Sequence, residues 1–182
     1  VKQAQAAGQL GEQVDLIRSR IDRQLALSRI AATGKERVDA KAIVDKLLSA
    51  MRQMPSLHQL SWHSKIPARL VAAVDAGDFA EAVGNVLDNA RLHAKSRIGV
   101  TALERDTDML ITIEDDGAGI AEADYGRVLA RGQRLDESSQ GSGLGLAITS
   151  DILRAYGGAL SLDRAEIGGL KVTMEWPIAH KH

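Results

Sequence analysis

The sequence predicts an α+β sandwich: a mixed, mainly antiparallel sheet covered on one face by three helices, with a further long helix ahead of it. Apolar residues recur at helical spacing over 39–54, 78–91 and 144–156, and the stretches between them read as strands. Those strands pair locally, 96–103 with 109–114 and 159–165 with 170–176, each across a short turn. Helices and strands therefore do not alternate one for one, as a parallel doubly wound sheet would require.

Residues 8–32 read as one long helix, because Leu10, Val14, Ile17, Ile21 and Leu25 return every three or four positions among charged and amide residues. Leu16, Leu27 and Ile30 widen the stripe beyond a two-stranded seam, which suits a helical bundle, including one between subunits, or packing on its own domain. Thr33-Gly34-Lys35 supplies a C-cap and linker, so two domains are expected, 1–34 and 35–182. Asp39 can N-cap the next helix, which runs to about Met54, buries Ile43, Val44, Leu47, Leu48 and Met51, and stops before Pro55. Stretches 57–66 and 69–74 then read as strands joined through Pro67, with His58 and His63 as ordinary strand residues.

The helix over 78–91 buries Phe79, Ala82, Val83, Val86, Leu87 and Ala90. Glu81, Asn85 and Asn89 follow one another at intervals of four and stack on another side. Asparagine weakens a helix because its amide competes for backbone hydrogen bonds, and Gly84 costs about a further 1 kcal/mol relative to alanine. A face of amide oxygens and one carboxylate suits a hard cation such as Mg²⁺, which usually arrives with phosphates. Glu81 also has a structural reading, since it stands at capping-box spacing from Asp78.

The strand over 109–114 ends in an acidic loop, Asp115-Asp116-Gly117-Ala118-Gly119. A short helix over 121–130 follows, then a polar, aperiodic stretch, 131–140, which reads as a flexible lid carrying Arg131 and Arg134 toward phosphates. Next comes a glycine turn, Gly141-Ser142-Gly143-Leu144-Gly145, opening a helix that ends at Gly157-Gly158. A glycine turn at a helix start lets the backbone approach a ligand and aims free N–H groups at it, an arrangement suited to phosphate. A carboxylate beside a phosphate would repel it, so Asp115 suits a neutral donor such as a base amine. One loop for a base and one for phosphates describe a nucleotide site, although each alone is a common turn.

Composition narrows the alternatives. The 182 residues carry 23 basic and 24 acidic side chains, a net charge of −1 that gives no general attraction to nucleic acid or to an anionic membrane. The absence of cysteine excludes disulfides and thiolate metal sites. No apolar run reaches the roughly 18 residues of a membrane span, and no signal peptide opens the chain, which is expected to be a soluble fragment that contacts neither membrane nor nucleic acid.

Together these residues resemble the ATP-binding domain of sensor histidine kinases, within the superfamily that includes DNA gyrase, the ninety-kilodalton heat-shock chaperones and MutL. Gly84-Asn85-Val86-Leu87-Asp88-Asn89-Ala90 is similar to the N box, Asp115-Asp116-Gly117-Ala118-Gly119-Ile120 to the G1 box, and Gly141-Ser142-Gly143-Leu144-Gly145-Leu146 to the G2 box. The likeness covers about 36–178, and the first helix resembles the second helix of the kinases' dimerisation domain. Arg131-Gly132-Gln133-Arg134 with a short lid is most similar to PhoQ-type kinases.

The resemblance implies a Bergerat-type ATP-binding fold with ATP and Mg²⁺ as ligands. It implies that Asp115 binds the adenine amine, that Gly117 and Gly119 shape the base pocket, and that Gly141, Gly143 and Gly145 cradle phosphates. Asn85 and Asn89 would hold the metal, Glu81 would act with Asn85 near the reacting phosphate as a proton acceptor, and Arg134 would neutralise charge. Asp88, Arg91, His93, Ile120, Arg131, Ser142, Leu144 and Leu146 lie in or beside the boxes and complete the nucleotide-binding set. The implied partners are a response regulator, the protein's own phosphoacceptor domain and a second copy, in the cytoplasmic part of a bacterial inner-membrane receptor.

Three departures stand out. Leu92-His93 replaces the common Lys-Tyr, leaving Arg91 or Lys95 to substitute; Ser138 and Ser139 stand where a second basic lid residue is common; and no histidine followed by an acidic residue and a proline is present. His63 with Pro67 does not qualify, because Ser64 replaces the acid. The acceptor helix is therefore expected upstream of Val1, and this chain alone is expected to bind ATP without phosphorylating itself. Two alternatives remain open: another ATPase or serine kinase of the superfamily, with Glu81 activating water or a hydroxyl, and a degenerate domain used for partner binding.

Overall fold

A computed structural model of the chain describes residues 37–54, 59–129 and 144–178. The long helix expected over 8–32, the lid over 131–140, and Arg131, Arg134, Gly141, Ser142 and Gly143 lie outside these residues.

Alternation along the strands sets the inner face of the sheet. In β4 (Arg97–Arg105), Ile98, Val100 and Ala102 are buried; in β5 (Asp108–Asp115), Met109, Ile111, Ile113 and Asp115; in β7 (Leu170–Pro177), Leu170, Val172, Met174 and Trp176. With β2 (Ser61–Lys65) and β6 (Ala159–Arg164) these strands form one sheet in the order β2-β4-β5-β7-β6. Every pairing is antiparallel except β2 with β4, so the sheet is mixed and mainly antiparallel. The strand expected over 69–74 does not join it. Val71–Ala73 (β3) pairs instead with Arg37–Asp39 (β1), a three-residue strand too short to show a period in sequence.

Three helices cover the inner face. In α1 (Ala40–Arg52), the Asp39 carboxylate accepts from the Ala42 N–H, and Ala40, Val44 and Leu48 are buried at intervals of four. All six apolar residues expected on the face of α2 (Ala76–His93) are buried. After the short α3 (Tyr125–Leu129), α4 (Gly145–Ala155) buries Leu146, Ala147 and Leu153. It stops at Gly157, whose φ of +79° is left-handed, while the Gly158 N–H donates to the Leu153 carbonyl at 2.8 Å. Between the layers, Phe79 of α2 lies 5.2 Å from Trp176 of β7, ring centre to ring centre, and Tyr156 lies 6.3 Å from the same ring.

The start of α2 differs from the sequence reading. Asp75, rather than Asp78, is the N-cap, and its carboxylate accepts from the N–H groups of Gly77 and Asp78. Asp78 is buried and accepts from the Tyr156 hydroxyl at 2.5 Å. The cap has moved one turn back because a hydroxyl from the end of α4 occupies Asp78, a contact between residues far apart in the chain. This overturns the capping-box reading of Glu81, which lies beyond the first turn.

Candidate functional site

The site is built where the end of β5 meets α2. Asp115 continues the buried alternation of Met109, Ile111 and Ile113, so its carboxylate points under the helical layer and is only 2% exposed. Its Oδ1 accepts from the N–H of Gly117 at 2.8 Å and, more weakly, from that of Leu170 at 3.4 Å. Burial pushes this carboxyl above the usual range, while those two N–H groups and the nearby His93 oppose the shift. No hydrogen bond among the described residues falls on Oδ2, which leaves its lone pairs for a donor brought by a ligand.

The next residue has a different task. Asp116 accepts from the Lys95 N–H at 2.8 Å, the Ser96 N–H at 3.0 Å and the Ser96 hydroxyl at 2.6 Å. Partial burial pushes its pKa up, but the Ser96 hydroxyl and the backbone around Ser96, Arg97 and Lys95 outweigh this and hold it far below the carboxylate range. Asp116 therefore pins the loop to the chain leaving α2, while Asp115 is turned inward.

Two glycines locate this loop and α4 against α2. A Cβ at Gly117 would lie 2.3 Å from the His93 carbonyl oxygen, so only glycine lets the acidic loop close on the C-terminal end of α2. A Cβ at Gly145 would meet the Asn85 Cβ at 3.6 Å, which places the first residue of α4 beside Asn85. The Thr149 hydroxyl lies between the two helices, sharing its one hydrogen between the Gly145 carbonyl of α4 at 2.9 Å and the Ala82 carbonyl of α2 at 3.2 Å. Asn85, Asn89 and His93 share one stripe at four-residue spacing, so the Gly145 and Gly117 contacts stand about 12 Å apart along α2, with Asn89 midway. Asn85, Asn89, Asp115, Gly117 and Gly145 thus belong to one region.

The donor set fits the anionic part of a nucleotide. The Asn85 amide nitrogen is buried with no hydrogen-bond partner among the described residues, a cost of about 1–3 kcal/mol that a purely structural asparagine would not repay. Among the described residues no side-chain hydrogen bond caps α4 at Leu144 and no acidic residue lies in its first turn, a helix start suited to an anion. Glu81 is exposed on the same helix. Arg91 and Asp88, one turn apart on α2, bond to each other, Nε to Oδ1 at 2.8 Å. His93 and Lys95 are exposed, Ile120 is half-buried, and Leu146 is buried in the helical layer.

Sequence reasoning missed Gly169. A Cβ there would lie 2.1 Å from Asp115 Oδ1 and 2.5 Å from the Gly117 nitrogen. Its only signal in sequence was the Gly168-Gly169 pair, which reads as a hairpin turn. His63, by contrast, is exposed on edge strand β2 and bonded to the Ser61 hydroxyl, an ordinary strand residue.

An α+β sandwich with a buried carboxylate at a central strand end, a glycine closing its loop onto an asparagine-bearing helix, and a second helix starting beside that asparagine defines an ATP-binding domain. Residues 74–180 match the family described as histidine kinase-, DNA gyrase B- and HSP90-like ATPase, and the chain belongs to that family. It is 37% identical over 172 residues to the sensor protein kinase CarS of Pseudomonas aeruginosa, covering 93% of this chain and 38% of CarS. It is 30% identical over 167 residues to the two-component sensor PhoQ of the same organism, covering 87% of this chain and 37% of PhoQ. Its fold superimposes on the mycobacterial sensor histidine kinase MprB with a TM-score of 0.72 at 28% identity, covering 81% of this chain and 99% of that structure. The chain thus spans about two fifths of the curated relatives and corresponds to the ATP-binding catalytic domain of a two-component sensor kinase.

Proposed function

We propose that this domain presents ATP to a histidine outside the chain, from which the phosphoryl group passes to a response-regulator aspartate. The observation that supports the reading is the buried Asn85 amide nitrogen, without a hydrogen-bond partner among the described residues, beside the first residue of α4 on the helix whose C-terminal end meets the loop of the buried Asp115 carboxylate. Asp115 accepts the adenine amine through Oδ2, and the start of α4, with Gly141 and Gly143 ahead of it, receives the phosphates. The Asn85 and Asn89 amide oxygens hold Mg²⁺, with Arg131 and Arg134 adding positive charge from the preceding segment. When bound, the metal neutralises charge on the phosphate oxygens. Glu81, one turn before Asn85, takes a proton from the reacting partner. In the transfer, the bond from the γ-phosphorus to its bridging oxygen breaks as a bond to the histidine nitrogen forms, and ADP leaves. Residues 1–34 belong to a dimerisation domain and 35–182 to the catalytic unit, in a homodimeric inner-membrane receptor. No helix of the described residues is long and apolar enough to cross a membrane.

Calorimetry with a non-hydrolysable ATP analogue, with and without Mg²⁺, tests the site. Asn89→Ala is expected to abolish metal-dependent binding while the melting curve holds, and unchanged affinity would overturn the role of the helix. A longer chain carrying the acceptor histidine, incubated with labelled ATP, is expected to hold acid-labile, base-stable label. Release of inorganic phosphate alone would favour an ATPase of the same family.

A further inference from the structure

We propose that Gly169, in the turn between β6 and β7, is a positioning residue that sets selectivity for the base by holding the Asp115 carboxylate in its amine-accepting orientation. The inference rests on the reading of Asp115 as the acceptor for that amine. The two glycines of the turn differ in kind. Gly168 adopts a left-handed φ of +114°, and a Cβ on it would meet nothing within 4 Å among the described residues, so its requirement is conformational. Gly169 has no such backbone demand, yet a Cβ on it would lie 2.1 Å from Asp115 Oδ1, 2.4 Å from the Asp115 carbonyl oxygen and 2.5 Å from the Gly117 nitrogen. Its requirement is purely one of space, and the space is occupied by the base-reading residue.

The turn also grips that residue. The Gly169 N–H donates to the Asp115 carbonyl at 3.0 Å, and the Leu170 N–H donates to Oδ1 at 3.4 Å. From the other side the Gly117 N–H donates to Oδ1 at 2.8 Å, and a Cβ at Gly119 would meet the Gly169 carbonyl oxygen at 3.1 Å. The carboxylate is therefore clamped through one oxygen between the end of β5 and the start of β7, and the other is left to read the ligand. A site that hydrogen-bonds a ligand amine discriminates strongly against an analogue lacking it only while the acceptor stays in register. A methyl group at 169 displaces the acceptor without removing it.

The test compares binding of ATP with binding of purine riboside triphosphate, which lacks the 6-amine, each with Mg²⁺. In the unaltered chain ATP is expected to bind at least tenfold more tightly. Gly169→Ala is expected to cut that ratio at least fivefold while affinity for the analogue stays within twofold. Gly168→Ala is expected to leave the ratio unchanged, and Gly169→Ala added to Asp115→Asn is expected to lower it no further. Equal loss of affinity for both nucleotides in Gly169→Ala, or an unchanged ratio, overturns the positioning role. Equal binding of both by the unaltered chain removes the Asp115 reading itself, and this inference with it. Should Gly169→Ala not melt cooperatively, backbone amide resonances in the unaltered chain decide. Those of Gly117, Gly169 and Leu170 are expected to shift more with ATP than with the analogue, and equal shifts refute the clamp.

Discussion

Replacing Asp116 by alanine separates the two adjacent carboxylates, one pinning the loop and the other buried under the helical layer. The change removes three charge-assisted bonds, from the N–H groups of Lys95 and Ser96 and from the Ser96 hydroxyl, at 2.6–3.0 Å. A sheltered hydrogen bond to a charged group contributes about 1.5–3 kcal/mol. Water reaches this loop and replaces much of each bond, so the sum reduces to about 2 kcal/mol. For a chain of this size that lowers the melting temperature by about 4–8 °C. The folded pKa of Asp116 is depressed, so its stabilisation is complete well above the unfolded value of about 3.9 and is lost as pH falls through that value toward the folded one. Urea unfolding at pH 7, 5, 4 and 3, followed by fluorescence of Trp62 and Trp176, measures the gap between parent and variant. It is expected to shrink by about 1 kcal/mol between pH 7 and pH 3. A gap that stays constant over this range would mean that packing, not charge, holds the loop.

Tyr156→Phe leaves the buried Asp78 carboxylate without its donor and is expected to cost about 2 kcal/mol in urea unfolding. Burial and the bond to Asp78 push the Tyr156 pKa well up, so its contribution is complete below about pH 10 and fades as pH rises further, and the gap between parent and variant should narrow there. Gly84→Ala is expected to stabilise the domain by about 0.5–1 kcal/mol, because a Cβ there meets nothing among the described residues; a lower melting temperature would contradict this. Gly117→Ala is expected to destabilise by about 1–3 kcal/mol and to weaken nucleotide binding in calorimetry at least tenfold, because its Cβ would press on the His93 carbonyl. Unchanged affinity would show that closure of the loop on α2 is dispensable.

Much of the fold was legible because local rules decided it. The apolar period of α2, the cap at Asp39 and the two hairpins all came through within a few residues. The errors fell where a distant partner decided the outcome. β3 left the main sheet for β1, and Asp78 lost its capping role to the hydroxyl of Tyr156, 78 residues away in sequence. In the candidate site, Asn85 and Asn89 were readable as residues that weaken their own helix. Gly169 was not, because a glycine in a hairpin turn already has a sufficient local reason to be there.

The sequence by itself determined the three covering helices, the two hairpins and the residue types able to meet a nucleotide, since these depend on spacing and on the chemistry of single side chains. Only the tertiary structure decided that Gly145 meets α2 at Asn85 and Gly117 meets it at the His93 carbonyl, and that of two neighbouring aspartates one anchors the loop while the other is buried under the helical layer. Those outcomes depend on which atoms already fill the space around a residue, and that is fixed only when strands far apart in the chain are brought side by side.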